Sequence, residues 1–127
     1  MAKARILIVE DEPNIAASLT FILRRAGFEV DAVIDGVEAL DRMRRQSFSA
    51  LILDLMLPGM NGFDVLRAIR ADAALAALPV IVLTAKGQAN DRRMAEESGA
   101  SAFITKPFSN AEVVEHVSRL ALGAVQP

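Results

Sequence analysis

The chain has 127 residues, 53% of them hydrophobic and 24% charged, with a formal net charge of −2 and no cysteine. Such a composition fits one folded domain with a single contiguous core, and it excludes disulfides, thiolate chemistry and cysteine-based zinc sites. The slight negative charge and the lack of Trp and Tyr argue against nucleic-acid binding by this segment. Basic clusters at Arg24-Arg25, Arg42 to Arg45 and Arg92-Arg93 read as solvated helix faces. No apolar run approaches the roughly eighteen residues of a membrane helix, and Ile6 to Val9 is too short for a signal peptide, so no membrane contact and a cytoplasmic location are expected.

In chain order, Ile6 to Val9 is a short apolar strand that runs into Glu10-Asp11-Glu12. Pro13 suits the first turn of a helix, and Ile15, Leu19, Ile22, Leu23 and Ala26 follow at helical spacing until Gly27. Phe28, Val30 and Ala32 alternate with Glu29 and Asp31, as in a half-buried strand near an edge. Asp35 to Glu38 has the form of a capping box, with Val37, Leu40 and Met43 as the buried face of the helix it opens. Leu51 to Leu53 is a buried strand that ends in the single carboxylate of Asp54, before a turn rich in Pro and Gly. Asn61 can cap a third helix carrying Val65, Leu66 and Ile69.

Val80 to Leu83 is a fourth strand, ending at Thr84. The helix from about Asp91 to Ser98 has only Met94 and Ala95 as an apolar face and is expected to be the least firmly held. Ala102 to Thr105 is a fifth strand, ending at Lys106-Pro107. Ser109 to Glu112 is a second capping box, before a helix with Val113, Val117 and Leu120 on its inner face. His116, the sole histidine, lies on that last helix and reads as a solvated side chain. The alternation βαβαβαβαβα predicts a doubly wound α/β fold, a parallel five-stranded sheet with helices on both faces.

In a parallel sheet the carboxyl ends of all strands share one edge, where open α/β folds bind ligands. Glu10, Asp11, Asp54, Thr84 and Lys106 all fall there. Carboxylates 4 Å apart repel by about 4 kcal/mol per pair at an effective dielectric of about 20, more than one lysine offsets. An all-oxygen site with room for water suits Mg2+. A carboxylate beside Mg2+, a lysine and a hydroxyl can accept a phosphoryl group, with Asp54 as the nucleophile.

These residues carry a resemblance. Ile6-Leu-Ile-Val-Glu10-Asp11, Asp54-Leu-Met56-Leu-Pro58-Gly59-Met60-Asn-Gly62, Thr84-Ala85 and Phe103-Ile-Thr-Lys106-Pro107-Phe108 together resemble the receiver domain of bacterial two-component response regulators. The resemblance implies the flavodoxin-like (βα)5 fold with strand order 2-1-3-4-5. It implies that Asp54 accepts a phosphoryl from the phosphohistidine of a histidine kinase or a phosphotransfer protein, and that a downstream effector reads the result. Glu10, Asp11, Asp54 and the Met56 carbonyl are implied to bind Mg2+, with Glu10 acting through a water. Ala85 joins Met56 as an expected cofactor-binding position. Lys106 is implied to pair with the carboxylate and then with the phosphoryl, Thr84 to be the switch hydroxyl, and Phe103 the switch aromatic that turns inward after it. Lys106-Pro107 corresponds to a cis peptide. The receiver is expected to span 1–123, with 124–127 as a tail or the start of a linker.

The sequence also departs from the pattern. The acidic pair is Glu-Asp rather than Asp-Asp, which lengthens one arm without removing a ligand. Ser101 and Ala102 stand where some receivers carry acids for dimer salt bridges, which speaks against that dimer mode here. Met56 and Lys86 offer no carboxylate or amide to orient water, so a long-lived phosphoryl group is expected. Aspartyl-nucleophile phosphohydrolases usually carry a second Asp two residues after the first, where this chain has Met56. The chain is therefore read as a signalling phosphoacceptor rather than an enzyme.

Overall fold

The computed structural model describes residues 3–85 and 89–122. Lys86 and the 124–127 tail, both singled out above, lie outside these residues. The elements run β1 (Arg5–Val9), α1 (Pro13–Arg25), β2 (Glu29–Val33), α2 (Gly36–Arg45), β3 (Ala50–Asp54), α3 (Gly62–Ala71), β4 (Val80–Ala85), α4 (Ala89–Glu97), β5 (Ala102–Lys106) and α5 (Asn110–Ala121). The strands form one parallel sheet in the order β2-β1-β3-β4-β5, as expected.

The sheet divides the core into two layers because successive strand side chains point to opposite faces. Leu7, Val9, Leu51, Leu53, Val80 and Val82 face α2, α3 and α4. Ile6, Ile8, Ile52, Ile81, Leu83 and Ile104 face α1 and α5. β3 is buried along its whole length, which explains why its sequence is a continuous apolar run rather than an alternation. The same two-residue period, carried to the strand ends, sends Glu10, Asp54 and Lys106 toward the α1/α5 side and Thr84 and Phe103 toward the other.

Helix starts follow the local sequence. Asp35, Asn61 and Ser109 accept hydrogen bonds from the backbone N–H groups of Glu38, Asp64 and Glu112, at 2.8, 3.0 and 3.1 Å. α1 instead begins with Pro13, whose missing N–H would have had no helical partner.

Four expected burials are corrected. Val37 is 64% exposed, because α2 packs through Gly36, Ala39, Leu40 and Met43. A Cβ at Gly36 would lie 2.5 Å from Val65 Cγ2, so the glycine is the point of closest approach to α3 and Val37 is rotated away from it. Ala32 is exposed while Val33 is buried, since β2 is an edge strand and only its last residue reaches the layer under α2. Ala26 is exposed past the end of α1. Met94 is 44% exposed, leaving Ala95 as the buried residue of α4.

The far end of α4 is nonetheless secured. Arg70 on α3 donates to the Gly99 carbonyl from Nε and Nη2 at 2.9 and 2.7 Å, and to the Leu78 and Ala76 carbonyls at 2.7 and 3.1 Å. His116 is half-exposed and pairs with Arg119, away from the strand ends.

Candidate functional site

Glu10, Asp11 and Asp54 each place a carboxylate oxygen within 4.8 Å of the others. Glu10 and Asp54 are buried, while Asp11 is exposed. Lys106 reaches across β4 from the end of β5, and its Nζ lies 3.1 Å from Asp54 Oδ2 and 3.5 Å from Glu10 Oε1. The other carboxylate oxygens are held by the backbone. The Met56 N–H donates to Asp54 Oδ1 at 3.0 Å, and the Glu12 N–H donates to Glu10 Oε2 at 3.1 Å. Four of the expected site residues therefore form one cluster at the carboxyl edge of the sheet.

Thr84 and Ala85 end β4 beside this cluster. Leu83 pairs in register with Asp54, so Thr84 sits one residue further along, and Ala85 is level with Lys106. Thr84 is buried and lines a cavity of about 170 Å3 with Leu55, Met56, Leu83, Ala85 and Asp91. Met56 is itself 73% exposed at the rim. Phe103 is half-buried on the other face of β5, and the Lys106-Pro107 peptide is cis. Sequence reasoning missed Asp91, which reaches this cavity only because α4 folds over the ends of β3 and β4. It also missed the Glu12 N–H, a contact within one turn that any non-proline residue type can make and that therefore leaves no signal in the sequence.

Burial pushes the Glu10 carboxyl up from its ordinary 4.5 to about 7, aided by the hydrogen bond that its neutral form can donate to Asp54 and by repulsion from that carboxylate, and opposed by the Glu12 N–H and Lys106. For Lys106, burial pulls the ammonium down, but the Asp54 hydrogen bond and the charges of Asp54, Glu10 and Glu12 outweigh it, and the net shift is upward. A carboxyl raised in the folded state supports stability that is complete below its unfolded value and is lost as pH rises through its folded value. Glu10 is thus expected to contribute a loss of stability to the metal-free protein between about pH 4.5 and pH 7, and Glu10→Gln to remove that contribution from the slope. Denaturant midpoints in chelator across this range check it; a slope unchanged in the variant would contradict it.

The cluster fits a hard divalent cation. Its donors are all oxygens, the exposed Asp11 opens it to water, and the buried Glu10 Oε1 has no hydrogen-bond partner. Among the described residues, no helix is long and apolar enough to cross a membrane.

Comparison with known proteins bears on the family and the fold. Residues 6–118 match the family model described as response regulator receiver domain. The DNA-binding response regulator MtrA of Mycolicibacterium smegmatis is 44% identical over 115 residues, which are 91% of this chain and 49% of that protein. The chain thus spans about half the length of the curated relatives it matches. Among solved structures, the signal receiver domain of a signal transduction histidine kinase from Syntrophus aciditrophicus superposes with a TM-score of 0.89 at 34% identity, covering 98% of this chain and 94% of that one. The receiver domain of a sensor histidine kinase from Pseudomonas aeruginosa, with a magnesium ion coordinated in its active site cleft, gives a TM-score of 0.89 at 33% identity, covering 96% of this chain and 100% of that one. Fold, strand order and matched sequence agree: the chain belongs to the response regulator receiver domain family of two-component signalling systems.

Proposed function

We propose that this receiver, spanning residues 1–123, accepts a phosphoryl group on Asp54 from the phosphohistidine of a histidine kinase or phosphotransfer protein, and passes the change to an effector. The observation that carries this reading is the Asp54 carboxylate, buried but held between Lys106 Nζ at 3.1 Å and the Met56 N–H at 3.0 Å. Glu10, Asp11, Asp54 and the Met56 carbonyl would hold Mg2+. When bound, the ion offsets the clustered negative charge and that of the incoming phosphoryl.

An Asp54 oxygen forms the new O–P bond as the N–P bond of the phosphohistidine breaks, and the imidazole leaves with the electron pair. The backbone bond from Met56 fixes the orientation of the carboxylate, so little rearrangement is needed at attack. Lys106 neutralises charge on the carboxylate beforehand and on the phosphoryl afterwards. Thr84 supplies a hydroxyl from the neighbouring strand, with Ala85 offering backbone beside it. Phe103 and Thr84 lie toward the same face of the sheet, and the cavity of about 170 Å3 beside Thr84 would accommodate the ring, since a void of about 150 Å3 holds benzene. The acidic cleft is a poor surface for nucleic acid, so DNA binding, as in the relatives' names, would belong to another part of a longer protein.

The test is acid-labile phosphate incorporation from a kinase or a small phosphoramidate donor with Mg2+, and its loss in chelator. No incorporation by the folded protein would overturn the reading. The thioether of Met56 cannot orient a water for attack on the aspartyl phosphate, so the phosphoryl is expected to persist for many minutes or longer. Loss of label from purified phosphoprotein measures this, and a half-life of seconds would contradict it.

A further inference from the structure

Phe103 packs on the layer beneath α2, α3 and α4, and its outer side meets a cation. The Arg92 guanidinium carbon lies 4.8 Å from the ring centroid. The other such pair, Arg67 over Phe63, joins neighbours on one helix at 6.0 Å and carries no tertiary information. The Arg92 contact instead ties α4 to β5. It also ties the end of α4 that has little else: the helix buries only Ala95, while Arg70 secures the Gly99 turn beyond its last residue. No salt bridge engages Arg92 among the described residues.

We propose that Arg92 is a positioning residue, which holds Phe103 in its resting place and so sets how often the unphosphorylated chain visits the switched arrangement. This rests on the reading of Phe103 as the switch aromatic. Arg92 does not line the cavity beside Thr84, so a ring that enters that cavity leaves the guanidinium, and the contact belongs to one of the two states only. A contact with that differential shifts the equilibrium, whereas one kept in both states does not. An exposed or half-exposed cation–π pair corresponds to a shift of about two- to fivefold in the ratio of the states.

The experiment uses the full chain, unphosphorylated, labelled with fluorophenylalanine. Six signals are expected from its phenylalanines, and the one lost in Phe103→Leu is assigned to position 103. Relaxation dispersion then reads the minor-state population of that signal in the wild type, Arg92→Gln and Arg92→Lys. Gln keeps a helix-compatible side chain without charge, and Lys keeps a cation. The expected result is a two- to fivefold rise in the minor state for R92Q and a smaller one for R92K. An unchanged signal in R92Q, a fall, or equal effects in both variants would overturn the proposal. Because the reading needs no phosphate, a chain that shows the R92Q shift but incorporates no label would refute the phosphoacceptor function while sustaining the role of Arg92.

Discussion

Replacing Asp54 with asparagine is expected to abolish acid-labile phosphate incorporation, a loss of at least about a hundredfold, because the amide oxygen is a far weaker nucleophile than the carboxylate. The substitution should leave the fold intact, for reasons visible in the contacts. The amide oxygen can still accept the Met56 N–H, and Lys106 keeps Glu10 at 3.5 Å. Removing the Asp54 charge also relieves the repulsion that helps raise Glu10. Asp54→Asn should therefore unfold at or above the wild-type temperature in chelator. Labelling assays on the two proteins, with thermal melts alongside, separate lost chemistry from lost structure. Persistent labelling of a folded D54N protein would remove Asp54 as the acceptor.

The largest effect on stability is expected at Gly62. It begins α3 directly against the chain leaving β3, and its N–H donates to the Leu55 carbonyl at 3.1 Å. A Cβ there would lie 2.5 Å from Leu55 Cα and 2.6 Å from the Asp54 carbonyl oxygen. Both are backbone atoms and cannot rotate aside, unlike Val65 Cγ2 at Gly36. Gly62→Ala must push α3 away from the strand, at a cost of about 3 kcal/mol, or a fall of roughly 10 °C in Tm. The displaced residues carry Asp54, so phosphate incorporation should drop as well. A melt within a degree or two of wild type would show that the turn yields more easily than this packing implies.

Much of this was legible in the sequence for physical reasons. Strands buried on both faces must be apolar throughout, so Leu51 to Leu53 and Val80 to Leu83 declared themselves, and each cap residue sat at its helix start. Parallel strands put Glu10, Asp54 and Lys106 on one edge, and the two-residue period put them on one side of it. What escaped depends on contacts between distant segments. Val37 and Leu40 both suit a helical stripe, and only the approach of Gly36 to Val65 decides which turns inward. Nothing around Arg70 in the sequence points to the three backbone carbonyls that its guanidinium holds, those of Gly99, Leu78 and Ala76. The raised carboxyl of Glu10 comes from burial that no spacing reveals. The pairing of Arg92 with Phe103 joins residues eleven positions apart on different elements.

The phosphoacceptor assignment is tested most directly by locating the phosphoryl group. Borohydride reduces an aspartyl phosphate to homoserine, and peptide mass spectrometry identifies the converted residue. Protein treated with a phosphodonor and Mg2+ should show homoserine at position 54 and none when chelator replaces the metal. Conversion at Asp11 instead, or none in a protein that is folded and binds Mg2+, would contradict it.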